Sequence, residues 1–456
     1  MNKLIALSVL FFVAYLLAAP TLVNGDGLGY LRAAAGSTIY PGHIAYVAFL
    51  RAAGFLVGAT RPIDFLAPAR LLSAGSAALA VFLTGRTAQT LVEKNAGLVA
   101  AAGLGVSFGT LACGSDVESY APALCGLTAA IYCCVHKQWV GAAIATALAT
   151  LFHVENVLFL LPLGLLVPRP RRLPVVAFSA TLIAAPYGIL VACFGRQWLL
   201  SARHGFSYPL RLANFPIALY GAAKAIVYSP YLYQASLTCV SVSLALGLCA
   251  IVAVMVVARP WSWPMGKAAM IGWLLSYGGL AILFFSSDQE RYVFLLPLFW
   301  LVVASGQRRF AVALVITCIG VANGVLWLPR AKDATDKARA HAIVANVHVG
   351  DLVICPGHSW DEYVGFYERV DVEMFPIVYY AGKLHEMTRV KEQLASAIAR
   401  ARDRHARIFL VRWQDSSDAN GWKELALFGV TPSTIDALLP SPTTKVIRGE
   451  SLTELF

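Results

Sequence analysis

Charge is what this sequence has least of. Only 13% of its 456 residues are Asp, Glu, Lys or Arg, whereas 58% are apolar, and the mean hydropathy is +0.67. Soluble domains carry about 25% charged residues, so a water-soluble globular protein is excluded and a multispanning membrane protein is indicated. Acids are scarcer still over the first 329 residues, which hold 8 Asp and Glu against 20 Lys and Arg, while residues 330 to 456 hold 17 and 16. The chain divides into a membrane body of net +12 and a soluble tail of net −1, so the overall +11 belongs to the body. Basic residues in such a body face lipid phosphates, and nucleic acid is excluded as a partner.

The nine cysteines include no CxxC pair and no Cys/His cluster at zinc spacing. A disulfide scaffold and a thiolate metal site are therefore not suggested. All but Cys355 lie in or beside apolar runs and read as small core residues.

Apolar runs fill the rest. Leu4 to Val23 is long enough to cross a bilayer of about 30 Å, with a leader cleaved after Ala18 or Ala19 as the alternative. Further candidate spans are Leu66 to Thr84, Gly97 to Cys113, Ser119 to Val135, Leu173 to Gly195, Leu232 to Ala258, Ala268 to Ser286, Tyr292 to Ser305 and Phe310 to Leu328. Trp139 to Val167 has basic residues at both ends, Lys137 before it and Arg169, Arg171 and Arg172 after it. If both flanks are cytoplasmic, the chain goes out and back within this stretch, turning at His153-Val154-Glu155-Asn156 in two short limbs that need protein or a cavity around them. A straight single span burying His153 and Glu155 is the competing reading. With the hairpin, about eleven membrane segments are expected, the N-terminus cytoplasmic and the tail extracytoplasmic.

In that topology seven of the eight acids of the body fall on the outer side: Asp26, Asp64, Asp116, Glu118, Glu155, Asp288 and Glu290; only Glu93 is inside. Edge acids can be plain solvated loop positions. Here separate short connections all place them on one face, which fits a cavity opening at the outer leaflet. The outer connection after Gly195 interleaves Arg196, Arg203, His204, Arg211 and Lys224 with aromatic residues, either anchoring the loop at headgroup level or holding a lipid phosphate through Arg203 and Arg211. The tail alternates apolar runs near residues 351–357, 372–378 and 407–413 with helical stretches at 360–367 and 388–404, a small α/β domain. In it His358 is either a site residue or an ordinary loop histidine.

Four features stand out in order along the body. Asp26 lies in Asn24-Gly25-Asp26-Gly27 directly after the first span, where an Asx-Gly turn is the plain alternative. Asp116 and Glu118 form an acid-x-acid pair in a short outer loop, able to share a hard divalent cation if the chain is extended there. The His153 break and Arg291-Tyr292, separated from Pro297 by four residues, complete the set.

This order resembles the C-type (GT-C) superfamily of membrane glycosyltransferases, which includes protein O-mannosyltransferases and lipid A aminoarabinose transferases. The resemblance covers residues 1 to 328 in layout. It implies that residues 1–329 are a helical polytopic catalytic domain; the tail, residues 330–456, is read from its own pattern as an extracytoplasmic α/β domain. It also implies inverting transfer of a sugar from a polyprenyl-phosphate donor to a hydroxyl of a glycan, lipid or protein acceptor at the outer face. In that family the first-loop acid is catalytic, which maps onto Asp26 as general base, with Asp116 and Glu118 beside it. His153, Glu155, Arg203, His204, Arg211, Glu290, Arg291 and Tyr292 become candidate substrate-binding residues. No cofactor is certain; a divalent metal on Asp116 and Glu118 is the open case. The β-trefoil insertion typical of eukaryotic protein O-mannosyltransferases is absent, and the acceptor is open. Two other classes remain, a transporter of a lipid-linked glycan and a non-catalytic membrane scaffold. A transporter wants midplane charges and repeated halves, and neither is seen.

Overall fold

The computed structural model describes residues 2–23, 25–36, 39–196, 215–228, 252, 256, 264–284, 289–332, 335–355, 364, 366, 372–377, 387–411, 445–446 and 452–454. They fall into two compact units, one running to Lys332 and one beginning at Thr335.

In the first unit, α1 (Asn2–Leu17) is shorter than the apolar run that forms it. Ala18 and Ala19 close its last turn on the carbonyls of Ala14 and Leu16. Pro20 then restricts the backbone ahead of it and has no N–H to continue the ladder. The chain re-enters helix at α2 (Gly25–Ala35) and α3 (Ile44–Val57). A 3₁₀ turn (Pro62–Phe65) leads into α4 (Leu66–Leu91). Alanine and glycine make α4 slim, and α1, α5 (Ala96–Val106) and α7 (Tyr120–Val135) pack against it. At Gly85 and Gly97 a Cβ would come within 2.9 and 2.7 Å of the other's carbonyl oxygen, so α4 and α5 meet backbone to backbone.

Between α5 and α6 (Phe108–Ser115) the helix bends by 63°. Ser107 stands at the bend, its hydroxyl donating to the Gly103 carbonyl and accepting the Trp300 indole N–H, each at 2.8 Å. The indole fills the crook so closely that a Cβ on Gly103 would lie 2.2 Å from its ring.

Then follow α8 (Trp139–Phe152), a 3₁₀ segment (Val154–Phe159), α9 (Leu160–Leu166) and α10 (Arg169–Phe194). The described body continues with α11 (Phe215–Ile226), α12 (Lys267–Trp273), a π-helical turn (Leu274–Gly278) and α13 (Gly279–Phe284). It ends with α14 (Gln289–Tyr292), α15 (Leu296–Ala304) and α16 (Arg309–Ala331). Pro62–Leu91, Arg169–Phe194 and Arg309–Pro329 are each long and apolar enough to cross a membrane, with α5 and α6 a fourth crossing if taken as one bent span. The expected span Leu232 to Ala258 lies almost wholly outside the described residues.

The Trp139 to Val167 stretch is broken where the sequence places the turn. His153 has an extended backbone (φ −148°, ψ 113°), and the helices on either side are short. Beyond it, Asn156 meets Tyr277, Phe159 meets Trp273, and Leu161 and Leu165 meet Gly272, so this limb runs antiparallel to residues 272–277.

The second unit holds a five-stranded sheet in the order β2-β1-β3-β5-β4: β1 (Leu352–Cys355), β2 (Glu373–Pro376), β3 (Ile408–Val411), β4 (Lys445–Val446) and β5 (Leu452–Glu454). β1 is parallel to both neighbours, and β5 closes antiparallel on β3. All four residues of β1 are buried, as befits a central parallel strand. Two helices flank the strands in sequence, α17 (Thr335–Val344) and α18 (Met387–Asp403). Strand and helix positions match the sequence pattern at β1, β2, α18 and β3. β4 and β5 are too short to leave a periodic signal.

Candidate functional site

The site is built at one end of the first unit, where four helix ends and a helix break meet. The loop between α6 and α7 carries Asp116 and Glu118. Asp116 is extended (φ −111°, ψ −177°), and its Oδ1 accepts its neighbour's N–H, from Val117, at 2.7 Å. The hydroxyl of Ser73 on α4 brackets Glu118, accepting its N–H at 3.2 Å and donating to its carbonyl at 3.3 Å. Both carboxylate residues are buried, at 7% and 2% exposure.

Asp26 sits in the first turn of α2, not in an isolated turn, where the helix N-terminus favours a carboxylate. It is exposed. The next residue brings the start of α2 against the acidic loop: a Cβ on Gly27 would come within 2.8 Å of the Val117 carbonyl oxygen, so only glycine lets α2 lie this close. Asp26 and the Asp116–Glu118 loop therefore share one end of the unit.

A polar and aromatic cluster extends from that loop. Ser119 Oγ lies 3.4 Å from the Tyr30 hydroxyl and 3.0 Å from His43 Nδ1, which is 3.3 Å from the Phe152 carbonyl. A carbonyl only accepts, so an Nδ1–H tautomer of His43 serves both of its contacts. The ring of His43 packs on Tyr30 and His153, with centroids 5.0 and 4.9 Å away, and His153 stacks on Tyr120 at 4.2 Å.

Arg291, from α14, completes the cluster. Its guanidinium pairs with Glu155, lies 3.4 Å from His153 Nε2 and stands 5.4 Å above the Tyr120 ring. A guanidinium only donates, so this contact assigns His153 the neutral Nδ1–H form. That N–H is buried without a hydrogen-bond partner among the described residues, 3.9 Å from Glu155 Oε2. Behind it, Tyr277 donates to Asn156 Oδ1 at 2.8 Å, and Asn156 donates to the His153 carbonyl at 3.2 Å, fixing the break from the π-helical turn.

Of the residues singled out from sequence, Asp26, Asp116, Glu118, His153, Glu155 and Arg291 come to this end. Tyr292 and Glu290 flank Arg291 on α14, Tyr292 buried in the core and Glu290 half-buried. Arg203, His204 and Arg211 lie outside the described residues, as do Asp288 and His358. Among the described residues no three His, Cys, Asp or Glu side chains converge as a set of metal ligands. The structure adds Tyr30, His43, Ser119, Asn156 and Tyr277. Tyr30 and His43 follow Asp26 in the chain, but their partners lie 89 and 109 residues away, and no local pattern joins them.

No protein-family model matches the chain, and no curated protein sequence matches it significantly. Solved structures do. ArnT from Cupriavidus metallidurans, bound to undecaprenyl phosphate, superposes with a TM-score of 0.61 at 11% identity, covering 100% of this chain and 98% of its own. The chain has the ArnT fold. ArnT from the same organism in its apo state aligns over 100% of this chain and 97% of its own, with a TM-score of 0.49 at 13% identity. Lipid A aminoarabinose transferases are among the GT-C members that the sequence resembles, so the resemblance holds at the level of fold.

Proposed function

We propose that the protein is a membrane glycosyltransferase that moves a sugar from a polyprenyl-phosphate donor to an acceptor hydroxyl at the outer membrane face. What carries this reading is the convergence of Asp26, the Asp116–Glu118 loop, the His153 break and Arg291 at one end of a unit with the ArnT fold. Fold alone does not assign chemistry; this grouping of a carboxylate, a guanidinium and neutral imidazoles suits it.

Asp26 is the general base. The acceptor oxygen attacks the anomeric carbon as its proton passes to the Asp26 carboxylate, and the bond from that carbon to the phosphate oxygen breaks with its electron pair leaving on polyprenyl phosphate. A phosphate leaves without being protonated but needs its charge met. Arg291 does this, held in place by Glu155, together with Arg203 and Arg211. A single displacement inverts the anomeric centre. His153 Nδ1–H and Glu155 orient sugar hydroxyls, His204, Glu290 and Tyr292 border the donor, and Asp116 and Glu118 support Asp26 or share a divalent cation. Residues 1–329 form the catalytic membrane domain, crossing about eleven times from a cytoplasmic N-terminus, and residues 330–456 an extracytoplasmic domain. The donor's lipid is of the class named with ArnT, undecaprenyl phosphate.

The test is Asp26→Asn expressed at the wild-type level in cells lacking the native gene. Glycan mass spectrometry is expected to show a loss of the product by about 10²-fold or more, the scale of a general base. Unchanged glycan would refute the proposal in favour of a transporter or scaffold.

A further inference from the structure

The stretch from Ala18 to Val23 hands α1 over to the helix that carries Asp26. It has no helical ladder of its own, yet three consecutive residues in it are tied down from elsewhere. Lys332 Nζ donates to the Ala19 carbonyl at 2.6 Å, and Arg70 Nη2 donates to the Pro20 carbonyl at 2.5 Å. The Thr21 N–H donates at 2.7 Å to the carbonyl of Ala331, the last residue of α16, which has no acceptor role left inside its helix. Val23, at the end of the stretch, is fully buried and would meet a Cβ on Gly27 at 2.5 Å.

Two cationic side chains, 262 residues apart, thus spend donors on adjacent neutral carbonyls, and neither pairs with an acid among the described residues. Hydrogen bonds with a charged donor are roughly twice as strong as neutral ones. The stretch from Ala18 ends at Val23, two residues before α2 begins at Gly25 with Asp26 in its first turn. We infer that Arg70 and Lys332 are positioning residues, a clamp that fixes where α2 begins and so where the Asp26 carboxylate stands beside the Asp116–Glu118 loop. The inference rests on the reading of Asp26 as general base. Neither residue touches substrate; both act through the backbone of residues 19–21.

The test uses the full chain with Arg70→Met and Lys332→Met, and the conservative Arg70→Lys and Lys332→Arg. Hydrogen exchange of amides 18–30 reads the clamp, the rate of glycan formation in cells reads turnover, and quenching of intrinsic fluorescence by undecaprenyl phosphate reads lipid binding. Each Met variant is expected to speed exchange across 18–30 and lower turnover by about tenfold, the worth of one charged hydrogen bond. Undecaprenyl phosphate affinity should stay within about twofold of wild type, and the conservative variants should recover most of the turnover. Unchanged exchange in both Met variants overturns the clamp. Turnover and lipid affinity falling together overturns the positioning role, because a general loss of structure does that. Should a Met variant fail to accumulate, Arg70→Gln and Lys332→Gln decide, since a positioning role predicts faster exchange and lowered turnover there at unchanged lipid affinity. Faster exchange alongside full glycan in Asp26→Asn cells refutes the base itself and reduces the clamp to a structural tie.

Discussion

Two regions of this molecule hold carboxylates against guanidinium groups, and they do so on different terms. In the membrane unit, Glu155 is paired with Arg291 at 4% and 20% side-chain exposure. In the C-terminal unit, Glu373 is shared by Arg400 and Arg404, both more than half exposed at 54% and 51%. Asp351 lies between these extremes, itself buried but bound to an Arg407 that is 34% exposed. A buried pair stabilises little relative to apolar residues but leaves an expensive lone charge when halved; an exposed pair loses little either way. The buried pair holds geometry and the exposed pair is a hydrated surface contact, so only the former is rigid enough to serve the proposed site.

The sharpest way to break this comparison is to halve the buried pair. Glu155→Gln should lower the stability of the full-length protein by about 3 kcal/mol, the lower end for a broken buried pair because Arg291 keeps some solvent. A drop in the thermal midpoint in detergent reads it, together with loss of glycan formation. The double variant Glu155→Leu with Arg291→Met should be less destabilised than the two single effects summed. Full additivity would mean that the two side chains do not interact.

Asp351 tests the intermediate case. Its carboxylate accepts the His348 N–H at 2.7 Å, the Arg407 N–H at 3.0 Å and Arg407 Nη2 at 2.7 Å, joining the start of β1 to the start of β3. Burial alone would push its pKa up, but the Arg407 side chain and these two backbone donors override it and hold the carboxyl below the usual carboxylate range. The folded value is depressed, so the stabilisation is complete above the unfolded value of about 3.9 and fades as pH falls through the folded one. Asp351→Asn should therefore cost about 1–3 kcal/mol at neutral pH. The gap from wild type in denaturant unfolding should stay level from pH 8 to 5 and close in stronger acid, on the scale of that unfolded value. A gap that widens in acid would contradict the sign.

Glu373→Gln should have the smallest effect, about 0.5 kcal/mol, vanishing in high salt because its partners are hydrated. An effect as large as that of Glu155→Gln would erase the distinction between the two regions.

What the sequence made legible follows the same division. Asp26, Asp116, Glu155 and Arg291 could be found because an acid or an arginine at the edge of an apolar run is costly and conspicuous. The break at His153 could be found because basic flanks on both sides made one straight crossing awkward. Nothing local marks His43 or Ser119, because their contact bridges 76 residues and either side chain alone is ordinary. Tyr277 owes its place to a π-helical turn that no apolar periodicity announces. The first apolar run reaches Val23, but α1 ends at Leu17 ahead of Pro20, and the non-helical stretch that results is what Arg70 and Lys332 grip.

The elbow at Ser107 has a reach beyond its own packing. The acidic loop is the far tip of the lever that begins there, nine residues before Asp116, and the angle of that lever is set by an indole wedged into its inner side. Trp300, a side chain on α15, therefore sets where the loop carrying Asp116 and Glu118 points. Shaving that wedge to a smaller ring, or filling the missing methyl opposite it at Gly103, would swing both carboxylates of that loop while leaving their own sequence untouched.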